Sequence, residues 1–294
     1  NGKEIAFIVR GEVFVTSVEF GTTRRITDTP EQERSVMFSP DGKSLVYAGE
    51  RDGSWNIYET SLVDEDELYF FSATKFEEKA LVATSQEEFQ PRYSPDGKKV
   101  AYLHERSEIR VLDIESGDIV VAAPGDTFYS YSDGDHHFDW SPDSAWLAVQ
   151  HYSRGRVFYT EVGMIKADGS GELIDISKSG YDDSRPYFAM GGNAIIWASD
   201  RYGERAHGSW GSEGDVMGVF LNQDAWDKFR LSKEEYELQK ELEEKKKEDE
   251  EEAENDDDSG EPGDPEADES ADAENGDEDA EDEEKVEPIE VELE

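Results

Sequence analysis

The chain holds five histidines and no cysteine, which excludes disulfides, thiolate metal sites and a cysteine nucleophile. Serine hydrolysis would need a hydroxyl beside a positioned histidine, with donors for the oxyanion. The nucleophile elbow G-x-S-x-G does not occur: Ser212 in Trp210-Gly211-Ser212-Glu213-Gly214 and Ser170 in Gly169-Ser170-Gly171 both miss its spacing and read as loop turns. His136 and His137 are adjacent, just before an expected strand, with His104, His151 and His207 elsewhere. Neighbours on a strand point to opposite faces, so the pair is expected to split, one ring at a blade interface and one toward solvent, without holding a metal. Asp52-Gly53-Ser54-Trp55-Asn56 starts like a calcium loop but lacks the closing bidentate acid, and reads as a β-turn. That leaves Arg201, Arg205, His207 and Trp210, clustered in one loop. Arginine can hold a peptide carboxylate by paired hydrogen bonds and tryptophan can stack on a side chain, so these four are the candidate substrate-binding residues. The alternative is that the arginines offset Asp200 and Glu204 while Trp210 packs between blades. No catalytic residue, metal ligand or cofactor site is expected.

Charge narrows the partners. The formal net charge is −45, and 22 acidic residues with no Lys or Arg fall between Asp249 and Glu284. The remaining 52 acids still outnumber the 29 bases, so phosphate backbones and anionic membranes are repelled. No apolar run reaches the length that spans a bilayer, and no membrane insertion is expected. The acidic tract reads as a solvated linker, and binding of a basic partner is its alternative.

The elements that position these residues come from an internal repeat. FSPDGKSLVYA (Phe38 to Ala48) recurs as YSPDGKKVAYL (Tyr93 to Leu103) and WSPDSAWLAVQ (Trp140 to Gln150), with a weaker copy FAMGGNAIIWA (Phe188 to Ala198). Asn1 to Phe7 fits the second half of the unit, so Asn1 is expected inside a turn and the chain is expected to be an internal piece. The copies stand 55 and then 47 residues apart, the length of a four-stranded propeller blade. Proline fixes φ and glycine permits a positive φ, so each SPDG reverses the chain between two strands. The strand after it is apolar on both faces and must be covered on both, which radially packed blades do.

The expected fold is all-β: a β-propeller segment of about five four-stranded blades over residues 1–223. A charged helical insertion at 224–247 is expected to open on the capping box Ser232-Lys233-Glu234-Glu235, flanked by Leu231 and Tyr236. Residues 248–285 have no apolar side chain larger than Ala and are expected to be disordered. Alternation at Ile289, Val291 and Leu293 predicts that 286–294 resume a propeller strand.

The SPDG hairpin with its LVYA-like strand resembles the TolB-type propeller repeat. The segment Ser199 to Glu241, SDRYGERAHGSWGSEGDVMGVFLNQDAWDKFRLSKEEYELQKE, resembles a propeller segment of the tricorn-type serine peptidases and their bacterial homologues, where a charged helical insertion of variable length follows. The resemblance covers essentially the whole chain. It implies that the nucleophilic Ser and its His lie in a C-terminal core beyond a PDZ-like module, neither of which is in this sequence. The implied role is a non-catalytic one, routing peptides toward that core, with peptide substrates, the PDZ-like module and the core as partners and a homo-oligomer left open. A cytoplasmic setting is expected, with the periplasm as alternative. Two rival readings are a TolB-like protein-interaction propeller without enzyme activity and the propeller of a prolyl-oligopeptidase-like hydrolase.

Overall fold

The computed structural model describes residues 2–64, 66–126, 128, 136–152, 159–204, 211–242, 245–246 and 286–292. The chain divides into two units, Asn1–Leu221 with Glu287–Val291, and Asn222–Val286 with Glu292–Glu294.

In the first unit the repeats become five antiparallel sheets, each a meander in chain order. Blade 1 is β1 (Glu4–Val9), β2 (Glu12–Ser17) and β3 (Thr23–Arg25). Blade 2 is β4 (Glu33–Phe38), β5 (Ser44–Arg51), β6 (Ser54–Leu62) and β7 (Phe76–Val82). Blade 3 is β8 (Glu88–Tyr93), β9 (Lys99–His104), β10 (Glu108–Asp113) and β11 (Ile119–Ala123). Blade 4 is β12 (Phe138–Trp140), β13 (Trp146–Tyr152), β14 (Thr160–Lys166) and β15 (Ile174–Asp175). Blade 5 is β16 (Asp183–Ala189), β17 (Ala194–Ser199) and β18 (Asp215–Phe220). The two end blades each have three strands among the described residues. The first strands β4 and β8 lie side by side, as do β12 and β16, so these strands form the inner lining of the unit.

The repeated turn is closed by its own side chains, which explains why four residue types recur together. Ser39 Oγ accepts the N–H of Ser44 at 2.8 Å and donates to Asp41, whose Oδ1 accepts the N–H of Lys43 at 2.9 Å. Blade 3 repeats this with Ser94, Asp96, Lys98 and Lys99, and blade 4 with Ser141, Asp143, Ala145 and Trp146. The left-handed position holds Gly42 at φ 71° and Gly97 at 70°, and blade 4 places Ser144 there at 58°. In the fourth copy, which lacks the Ser and Asp, the turn is a short 3-10 segment, Met190–Gly192.

The second strand of each full blade is buried on both faces, with a direction to each face. Leu45 and Tyr47 pack toward the preceding blade, with Val13, Val15 and Phe70. Val46 and Ala48 pack toward the following blade, with Tyr93, Val100 and Tyr102. The largest cluster joins blades 3 and 4 through Leu103, Ile109, Phe138, Trp140, Leu147 and Ile165. Among the described residues, the end blades have one face uncovered. Ile5, in the position of Leu45, is 52% exposed, and Ile196, in the position of Val46, is 39% exposed. Each is the face that a further neighbour would cover.

In the second unit the helical region is two helices. The first, α1 (Gln223–Phe229), is capped by Asn222, whose side chain accepts the N–H of Ala225 at 2.8 Å. The second, α2 (233–242), opens on the expected capping box: Glu235 accepts the N–H of Ser232 at 2.8 Å and Ser232 Oγ accepts the N–H of Glu235 at 3.3 Å. The sequence reading treated this stretch as one helical change and missed the break between them. The expectation of disorder for 248–285 lies outside the described residues. Residues 286–292 carry no strand pairing, contrary to the alternation in their sequence. Ile289 and Val291 do turn inward, but the Ile289 N–H goes to the Asp143 side chain, so this segment docks without joining a ladder. No described helix is long and apolar enough to cross a membrane.

Candidate functional site

The inner strands carry an irregularity that recurs from blade to blade. Pairing shifts by a residue between Arg34 and Met37 on β4, between Phe89 and Arg92 on β8, and between Ser184 and Tyr187 on β16. Within each bulge one residue takes a left-handed backbone: Ser35 at φ 59°, Gln90 at 50° and Arg185 at 55°. Such a conformation costs a non-glycine residue roughly 1 kcal/mol or more and persists where the surroundings over-determine it.

The surroundings here are a buried acid two residues earlier. Glu33, Glu88 and Asp183 are each at most 1% exposed. A hydroxyl four residues before the acid donates to it: Thr29 to Glu33 at 2.9 Å, Thr84 to Glu88 at 2.9 Å, and Ser179 to Asp183. Opposite, each acid meets a different donor. Arg51 reaches Glu33 at 2.9 Å, His104 Nδ1 lies 3.0 Å from Glu88, and Trp197 Nε1 donates to Asp183 at 3.1 Å. The three strand starts are therefore fixed by the same anchor with interchangeable partners.

Amide and acid side chains then clasp the bulged strands β8 and β16 to blade 4. Gln90 Oε1 accepts the N–H of His136 at 3.1 Å, Gln150 Oε1 that of Arg185 at 3.2 Å, and Asp139 Oδ2 that of Phe188 at 3.1 Å. Asp139 is held above the usual carboxylate range by burial. Between blades 3, 4 and 5 this leaves a polar opening of about 510 Å³, lined by Gln90, His136, His137, Gln150, Asp182, Ser184 and Arg185. A second hollow of about 290 Å³ shares Gln90 and continues along Ser35, Met37 and Arg92. With each amide oxygen committed to a backbone N–H, the amide NH2 groups of Gln90 and Gln150 are the donors left for a ligand. The Arg185 side chain has no carboxylate partner among the described residues, so the opening offers a cation beside neutral donors. Asp182 is already engaged by the N–H and hydroxyl of Thr160 at 3.3 and 2.8 Å.

The paired histidines meet different neighbours, but the ring expected to face solvent is packed instead. His136 packs edge-on to Phe128 and Tyr152, with Nε2 3.1 Å from the Arg106 carbonyl. His137 stands edge-on to Tyr187 with ring centres 4.7 Å apart, and its buried Nε2 has no hydrogen-bond partner among the described residues. Burial, then the nearby charges of Arg92 and Arg185, push its pKa down to about 4. The folded protein thus refuses a proton that the unfolded chain accepts near its ordinary 6.5. Stability is expected to fall as pH drops from about 6.5 toward 4. His137→Gln is expected to flatten that slope in urea titrations at pH 7 and pH 5, leaving a remainder from His151, which burial also holds low. An unchanged slope would mean that His137 is protonated in the fold.

Of the four residues singled out in the sequence, only Arg201 is described. It is exposed, stacks on the Tyr202 ring at 5.2 Å and does not line the opening. Arg205, His207 and Trp210 lie outside the described residues. Asp52 and Gly53 form a two-residue hairpin turn with both φ positive, 55° and 78°, as the β-turn reading requires. Sequence reasoning missed the bulge residues and the acids behind them. The signal was present: an acid eight residues before the third position of each turn (Asp41, Asp96, Gly191), with a hydroxyl four residues before that acid.

No family model and no curated protein sequence matches this chain. Solved structures do. The protein assigned as TolB in Agrobacterium tumefaciens aligns over 75% of this chain and 74% of its own, at 19% identity and a TM-score of 0.50. Tricorn protease aligns over 75% of this chain and 21% of its own, at 14% identity and a TM-score of 0.56. At these identities the likeness concerns the fold alone, and this chain corresponds to about a fifth of the tricorn polypeptide. With its five sequential antiparallel blades, the first unit has the TolB-like β-propeller fold.

Proposed function

We propose that this propeller is the non-catalytic part of a tricorn-like serine peptidase and holds peptides at the opening between blades 3, 4 and 5 on their way to an active site elsewhere in the whole protein. The observation that carries the reading is the composition of that opening. Gln90 and Gln150 offer donors suited to peptide carbonyls, and Arg185 offers a planar cation suited to a terminal carboxylate. Such a set suits backbone and chain ends more than any one side chain, which is what routing mixed peptides demands.

Fluorescence anisotropy with a labelled decapeptide tests it. Binding with Kd between about 10 μM and about 1 mM is expected, weakened about tenfold by Arg185→Gln and by amidation of the peptide C-terminus. No saturable binding, or equal binding by the Arg185→Gln chain, overturns it. Binding of a folded protein partner in place of peptides favours the TolB-like interaction reading.

A further inference from the structure

Blades 2 to 5 end their third strands in the same way. The N–H of Leu62, Ile114, Ala167 and Leu221 donates back to the carbonyl of Lys43, Lys98, Ala145 and Asn193 respectively, beside the turn that joins the first two strands. In blades 2, 3 and 4 the chain then goes on to the fourth strand of the same sheet. In blade 5 it leaves at Leu221 and re-enters the unit only at Glu287.

The re-entry point is a shaped contact. The Ile289 N–H donates to Asp143 Oδ2 at 2.8 Å, while Oδ1 of the same carboxylate closes the blade 4 turn. Asp41 and Asp96, its counterparts in blades 2 and 3, use Oδ1 for their turns and hold no such segment among the described residues. Beside Asp143, Gly192 leaves a gap that Ile289 fills: a methyl group on Gly192 would lie 2.6 Å from Ile289 Cδ1 and 3.2 Å from Pro142 Cδ. Ile289 and Val291 turn inward while their neighbours stay exposed.

We propose that Pro142, Asp143 and Gly192 form a docking notch for an extended apolar peptide flanked by acids, which the chain fills with its own Glu287–Val291. The notch holds Glu287–Val291 at the turn side of blades 4 and 5. Recognition rests on one carboxylate oxygen that must accept and one residue that must lack a side chain. Asparagine at 143 keeps an oxygen for the turn but presents an NH2 to the Ile289 N–H, setting donor against donor.

The test uses the full chain. Amide exchange across 286–292 is expected to accelerate at least about tenfold in Asp143→Asn and to stay unchanged in Asp41→Asn, which carries the same change in a turn without a docked segment. A labelled peptide VEPIEVELE is expected to bind saturably to the Ile289→Asp chain, whose notch is vacated, and to lose that binding when Gly192→Ala is added. Equal exchange in the wild-type and Asp143→Asn chains overturns the proposal, as does failure of the peptide to bind the Ile289→Asp chain while its melting midpoint shows the blades still folded.

Discussion

Val46→Asp is expected to destabilise the propeller by at least about 4 kcal/mol, while Ile196→Asp, at the corresponding place in blade 5, is expected to cost about 1 kcal/mol. The two side chains occupy the same step of the repeat and point the same way, toward the following blade. Val46 is 0% exposed and meets Tyr93, Val100 and Tyr102 of blade 3, whereas Ile196 is 39% exposed. A carboxylate at 46 would have to lose its water without a cation or donor to replace it. At 196 it keeps much of its solvent, and the cost reduces to lost strand preference and partial packing. Urea denaturation of the two variants at neutral pH measures the contrast. Equal losses would mean that blade 5 has a neighbour on this face, supplied by a second copy of the chain or by a segment outside the described residues. Ile5→Asp reports on the opposite end, where the uncovered face looks toward a preceding blade.

How much of this was legible beforehand follows from how local each feature is. The SPDG turn and the apolar strand after it are written in consecutive residues, so blade number, strand order and the position of most strands could be read directly. The doubly buried strand also announced radial packing, because Leu45 to Ala48 offers no polar face to water. The direction of each face could not be read, since it depends on which neighbour a side chain meets. The candidate site was largely hidden for a related reason. Gln90, His137 and Arg185 belong to different blades, and Gln90 and Arg185 are placed by bulges, each two residues from an acid whose partner sits on another strand. Glu33 finds Arg51, Glu88 finds His104 and Asp183 finds Trp197, so no single residue pair recurs for the eye to follow. The alternation in 286–294 misled because periodicity reports which side chains turn inward and is silent on where the backbone N–H groups go. In this segment the Ile289 N–H goes to a side-chain carboxylate, so the apolar pattern is realised without a strand.

Arg51→Ala is expected to cost about 3–5 kcal/mol at neutral pH, because it leaves the Glu33 carboxylate buried without its cation. Glu33 has a fully buried side chain, and the hydroxyls of Thr29 at 2.9 Å and Thr27 at 3.3 Å cannot replace a guanidinium 2.9 Å away. Burial already raises its pKa, against the pull of Thr29 and Arg51, so removing Arg51 raises it further. A carboxyl whose folded pKa lies above its unfolded one takes up a proton more readily in the fold, and stability therefore rises as pH falls through the folded value. The deficit of Arg51→Ala relative to wild type should accordingly be smaller at pH 5 than at pH 8 in urea denaturation, and a deficit independent of pH would locate the damage in lost packing on Tyr58, over whose ring Arg51 lies at 4.8 Å. Blade 3 supplies the rescue. There the residue paired with the acid is His104, where blade 2 has Gly49, and the Arg51 guanidinium occupies the space that a side chain on Gly49 would need, 3.0 Å from its Cβ position. Combining Gly49→His with Arg51→Ala removes the guanidinium, leaves the Tyr58 ring, 3.1 Å from the same Cβ position, to shift by a few tenths of an ångström, and brings an imidazole to the acid, as in blade 3. The pair is expected to recover about half of the loss, which neither change achieves alone, because the two sites share one partner and their effects cannot be additive.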